Sequence, residues 1–245
     1  LSFDFNINGR GFNPDVMSGD YKIIMKKSEF AGFEIPATPL DVIIGSDGSV
    51  KKISMKSDFA DLSLSGAFDV SSLSKVISAN IDKISNDLRS KHITDSSETQ
   101  NVSSYTSSCK NIYMEYSLDV KNLEPLYTFT GNDSIKFVGK INGNISDSCG
   151  IFVLTTKGKV KYFAFKDTVF LAKDGLIDLN IRNNIAVDGL KEFSADVNIF
   201  ADTVLFGNFP LDSTDIRIKY FENKNNFTIS SRQDSTLRFY TDGSI

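Results

Sequence analysis

Ile135-Lys-Phe-Val-Gly-Lys-Ile-Asn-Gly-Asn-Ile145 decides how the rest of the chain is read. Ile135, Phe137, Gly139, Ile141, Gly143 and Ile145 fall on one side of an extended backbone. Lys136, Val138, Lys140, Asn142 and Asn144 fall on the other, nearly all polar. Successive strand side chains point to opposite faces, so this spelling predicts one apolar and one wet face. The pattern recurs with Leu62, Leu64, Gly66, Phe68 and Val70 alternating with Asp61, Ser63, Ser65, Ala67 and Asp69. It recurs again at Phe3, Phe5, Ile7 and Gly9.

Outward from these stretches the chain reads as a succession of such strands. Tyr21, Ile23 and Met25 alternate with lysines and Ile24, and Ser46-Asp47-Gly48-Ser49 marks a hairpin turn. Ile112 to Val120, Val160 to Ala164, Ile177 to Ile181, Phe193 to Ile199 and Ile216 to Tyr220 repeat the alternation. Turns are expected at Ser146-Asp147-Ser148, Thr156-Lys157-Gly158 and Asp174-Gly175. The spacing predicts about sixteen to eighteen short strands in an antiparallel meander.

One segment departs from this period. Leu73, Val76, Ile77, Ile81, Ile84 and Leu88 follow helical spacing, an apolar arc of roughly 140°. An amphipathic helix is predicted over 72–91, with Ser71 or Ser72 at its N-cap, and it needs an apolar surface to lie on. The organisation is therefore strands over 1–70, the helix segment over 71–92, a polar Ser-rich loop over 93–109, and strands over 110–245. Because the chain opens inside a strand pattern, it is expected to be a segment of a longer protein.

Composition narrows the function classes. The net charge of -4, with both signs interspersed, gives no electrostatic case for nucleic acid. No apolar run reaches the length of a membrane-spanning helix. His92 is the lone histidine, without a nucleophile elbow to accompany it. Asp47, Asp147, Asp174 and Asp242 are turn residues lacking the carboxylate spacing of a calcium loop. Asn8-Gly9-Arg10-Gly11 lacks the third glycine of a nucleotide loop and reads as a turn. The expectation is no enzyme, no metal and no cofactor. Cys109 and Cys149 are too few for a disulfide scaffold or a zinc site. They are expected as free structural thiols, with a disulfide as the option in an oxidising compartment.

So many strands cannot stay in one flat sheet. The architecture is all-β with one helix, either an elongated sheet rolled into an open groove or a filled β-sandwich. The glycine-punctuated strand Phe137–Ile145, and Leu62–Asp69 followed by the Leu73–Leu88 helix, resemble segments of TamB and AsmA-like envelope proteins of Bacteroidota and their relatives. The resemblance implies a taco-shaped β-groove in the periplasm, anchored in the inner membrane through a segment absent here. It implies phospholipid transport toward the outer membrane, or outer-membrane biogenesis, with an outer-membrane barrel as partner through regions also absent. The groove lining expected to touch phospholipid acyl chains is Leu62, Leu64, Phe68, Ile135, Phe137, Ile141, Ile145, Phe193, Val197 and Ile199. The alternative is a bacterial surface β-sandwich, an adhesin or carbohydrate-binding module, with its ligand site on loops such as 94–108.

Overall fold

The computed structural model describes residues 2–11, 13, 15–30, 33–35, 37–92, 111–122, 135–165, 170–187, 189, 191–207, 209–221, 224–233 and 237–244. Alternating segments become strands β1 (Phe3–Arg10), β2 (Ser18–Met25), β3 (Ser28–Phe30), β4 (Phe33–Ile35), β5 (Thr38–Asp47), β6 (Val50–Ser57) and β7 (Ala60–Ala67). Helix α1 (Val70–His92) follows. Then come β8 (Ile112–Val120), β9 (Ile135–Ser148), β10 (Ile151–Phe165), β11 (Phe170–Asn184), β12 (Ser194–Phe206), β13 (Phe209–Phe221), β14 (Lys224–Gln233) and β15 (Leu237–Ser244). Thirteen of them form one antiparallel sheet in chain order, with β3 and β4 pairing apart as a small hairpin. The sheet is open, with β1 and β15 at its two edges.

The strands are fewer and longer than the turn signals predicted. Thr156-Lys157-Gly158 is no turn, and β10 runs straight through it. Asp174-Gly175 likewise lies inside β11. What Asp174 marks instead is a crease. β10 carries one extra residue relative to β9, between Val160 and Tyr162. The next three strands stay in step with β10, leaving Lys161, Asp174, Asp202 and Ser213 unpaired at one level. The register shifts back only where β13 meets β14. Asp174 and Ser213 adopt left-handed φ values of 50° and 48°. An extra residue bends a strand and sharpens its twist. Four aligned ones fold the sheet along a line. On the apolar side of that line Ala172, Ala201 and Val204 are buried against Phe163 and Leu211. All five come from the folded strands themselves, so the crease closes toward the apolar face.

Helix α1 begins two residues before the predicted start. Asp69, not Ser71 or Ser72, occupies the N-cap position, and its carbonyl accepts the Leu73 N–H at 2.9 Å. A second carboxylate arrives from the β1–β2 turn, where Asp15 accepts the Ser71 N–H at 3.2 Å and the Ser71 hydroxyl. The Ser71 hydroxyl bond holds the Asp15 carboxyl below its ordinary pKa. A carboxylate with a lowered folded pKa stabilises above its unfolded value, near 3.9, and loses that contribution as pH falls through the folded value. The deficit of Asp15→Ala against the parent, read by urea unfolding, should therefore be present at neutral pH and shrink below about pH 4.

Downstream the apolar stripe docks on the sheet. Leu73 and Val76 are buried with Phe68, Ile112, Met114, Ile145 and Phe152, and Ile77 packs at their margin. The helix crosses the same ends of β8, β9 and β10 in turn, so it runs along one rim of the sheet. It does not close an end of the trough, as a lid would. Replacing Ile77 and Ile84 with Ser should loosen the helix while the strands persist; loss of all secondary structure by circular dichroism would contradict rim packing.

Asn80 sits in the middle of the stripe and is 2% exposed. Its amide donates to the Val76 carbonyl at 2.9 Å, and its oxygen accepts from Asn183 at 2.7 Å. Asn183 is the penultimate residue of β11 and is 1% exposed. A buried polar pair fixes register, since any slip leaves both amides unpaired. Asn183→Ala should destabilise by about 1–3 kcal/mol, whereas Asn80→Leu with Asn183→Leu should recover most of that loss; denaturant midpoints separate the two.

The sandwich alternative is not what the chain forms. Among the described residues the large sheet has no second sheet of comparable size stacked on it, and their buried apolar residues gather in two local clusters. Cys149 is disulfide-bonded, and Cys109 is the chain's other cysteine. The expectation of free thiols is thereby corrected. The low cysteine count favoured the wrong reading.

Candidate functional site: the apolar face of the open sheet

Pairing register turns separate apolar strands into one surface. Ile7, Tyr21, Val42, Met55, Leu62 and Leu118 lie level across β1, β2, β5, β6, β7 and β8. The same row continues through Ile141, Gly158, Ile177, Ile199, Ile216 and Ile229 on β9 to β14. None of the twelve is buried, and those beyond the exposed edge residue Ile7 are half-buried. A neighbouring row carries Leu64, Tyr116, Gly143, Thr156, Leu179, Val197 and Ile218 at one further level. At 4.7–4.9 Å between strands, thirteen strands make a track of about 58 Å.

In cross-section the track has a floor and two sides. One side is the rim covered by α1. The other is the creased far part of β10–β13, where Phe163 and Leu211 turn inward. The two level rows between them form the floor. The opposite face of the sheet is polar, carrying cross-strand ion pairs such as Lys157–Asp178 at 3.0 Å and Lys219–Asp196 at 3.4 Å. Such exposed pairs contribute little to stability. They keep that face wet.

The expected lining divides on this geometry. Leu62, Phe137, Ile141, Val197 and Ile199 are half-buried on the open face. Leu64 shares that face but leans against the helix cluster. Phe68 and Ile145 are corrected: both are buried beneath α1 and unavailable to a ligand. Phe193 is corrected too, being 7% exposed with its ring 5.3 Å from that of Tyr220. Alternation alone cannot reveal which apolar residues another element covers. The side chain of Ile135 and the loop 93–109 lie outside the described residues, as does the side chain of His92. Lys140 faces water as expected.

Leu118, Ile177, Leu179, Ile216 and Ile218 belong to the open face and were not singled out as lining. Their alternation is as plain in the sequence as that of Ile141. Only the register places them level with it.

Among the described residues no group of histidine, cysteine and acidic side chains could hold a metal ion. No helix among them is long and apolar enough to cross a bilayer. No protein-family model, curated protein or solved structure matches the chain significantly.

Proposed function

We propose that this chain is a lipid-conducting segment of a cell-envelope bridge, passing phospholipid along its apolar face between inner and outer membranes. One observation carries the reading: a level apolar row across twelve strands that is neither buried by the protein nor broken by a charged residue. In water such a surface is costly to leave bare over this length. Acyl chains would cover it, each buried methylene contributing about 0.8 kcal/mol. Head groups would stay in solvent at the open side. Because successive rungs are chemically alike, a bound chain meets no deep trap and can move from strand to strand.

The resemblance to TamB and AsmA-like proteins supports the same reading, as does the Cys149 disulfide, which suits an oxidising compartment such as the periplasm. Extraction of the purified chain followed by lipid mass spectrometry tests it. Phospholipid recovered in near-stoichiometric amount is expected. A lipid-free protein that also fails to take up phospholipid from vesicles would overturn it.

A further inference from the structure

A sheet folded toward its apolar side should present a convex back, yet the back is hollow over β7–β10. The outward side chains of Ser63, Ser65, Glu115, Ser117, Asn142 and Lys157 line a cleft of about 500 Å³. A second hollow of about 610 Å³ lies over β5–β7 and shares Ser63 and Ser65 with it. On the apolar side of the same strands the backbones approach closely. At Gly143 the neighbouring strand approaches so closely that a Cβ would stand 1.8 Å from the Thr155 carbonyl oxygen. At Gly66 it would stand 2.1 Å from that of Tyr113. The strands are pinched at these points, and the Tyr116 hydroxyl donates to the Thr155 carbonyl at 3.1 Å.

The chemistry of the cleft is narrow. Its carboxylate and its ammonium are both engaged: Glu115 accepts the Tyr113 hydroxyl at 2.7 Å, and Lys157 pairs with Asp178 at 3.0 Å. The side chains of Ser63, Ser65, Ser117 and Asn142 have no partner among the described residues. What remains available is a set of neutral hydroxyl and amide groups, each able to donate and accept. They stand on the strand lattice, about 4.8 Å apart across the sheet. Lys157 is neutralised by Asp178, whereas Glu115, bonded to a neutral hydroxyl, keeps its negative charge, and apolar atoms share the lining with these polar groups. Further along the same face charges pair, Lys219 with Asp196 across β13 and β12 and Arg217 with Asp215 within β13.

We infer that this cleft is a second ligand site, on the face opposite the apolar track, and that it takes a neutral oligosaccharide. Hydroxyl-rich rings match unpartnered hydroxyls and amides, and the joined hollows extend across six strands, long enough for several rings. Of the cleft's lining, Tyr116 and Gly143 also belong to a row of the apolar face, and the remaining residues belong to the opposite face.

Affinity electrophoresis in native gels containing amylose, hydroxyethyl cellulose or glycol chitin tests this. The parent chain should be retarded by at least one of the three. Ser117→Ala combined with Asn142→Ala should weaken that binding about tenfold, the effect of two lost hydrogen bonds. Both side chains reach outward, so the thermal melt of this variant should match the parent. Phe137→Asp, on the other face, should be retarded like the parent, which separates this site from the lipid reading. Free migration of the parent in all three gels overturns the inference. So does undiminished retardation of the double variant, or loss of retardation in Phe137→Asp.

Discussion

Phe137→Asp is expected to leave the sheet folded and to lower capture of acyl chains at that position by an order of magnitude or more. Phe137 lies on the open face, level with Phe163 on β10, and is half-buried. A carboxylate placed there keeps access to water in the free protein, so the fold should lose only about 1–2 kcal/mol. When an acyl chain covers the position the charge must be desolvated without a partner, which costs several kcal/mol. Lys140→Asp is the control: Lys140 is exposed on the polar face opposite Lys159, and its reversal should change neither property. Photocrosslinking of phospholipid from position 137, alongside circular dichroism melting, reads both effects. A collapsed melt would mean that the face is packed protein, and an absent crosslink in the parent would mean that lipid does not reach it.

Gly143→Val is expected to have the largest effect on stability, exceeding about 4 kcal/mol. The cause is contact with backbone. Besides the Thr155 oxygen, an added Cβ would stand 2.8 Å from the Thr155 carbonyl carbon and 2.9 Å from the Tyr116 hydroxyl. A carbonyl in a ladder cannot step aside as a flexible side-chain end can, so β9 and β10 would have to part. These two strands are the middle of the sheet and carry the floor of the track. Gly45→Ala offers a matched control, since a Cβ at Gly45 meets nothing within 4 Å. Urea unfolding of Gly143→Ala, Gly143→Val and Gly45→Ala should give a steep order in the first two and a near-parent curve in the third. Parent-like stability of Gly143→Val would show that the strands are not pinched there.

Much of the architecture was legible. Ile135–Ile145 predicted a two-faced strand, and it is one, longer at its far end. The antiparallel meander followed from hairpin spacing, and the helix from the change of period at Leu73. The errors share one origin. Asp174-Gly175 and Thr156-Lys157-Gly158 carry the residues that turns use, and a turn, a bulge and a close strand approach make the same local demands. Which one forms depends on whether the neighbouring strand continues past that point, and β11 does continue beside β10. Asn80 was passed over for a similar reason. An amide on an apolar stripe reads as a blemish until Asn183, 103 positions away, supplies its partner.

The candidate site was legible in its chemistry and not in its extent. Residue alternation by itself determined that these strands have an apolar face, because side-chain direction in a strand is a local property with period two. It determined equally that the chain must hide or occupy that face. Tertiary structure decided where the face is open. Ile145 and Ile141 are spelled alike in one strand, yet one lies under α1 and the other does not. Register, the aligned extra residues at Lys161, Asp174, Asp202 and Ser213, and the path of the helix along one rim are all long-range pairings. No stretch of sequence contains them, because each is selected by the strand or helix beside it.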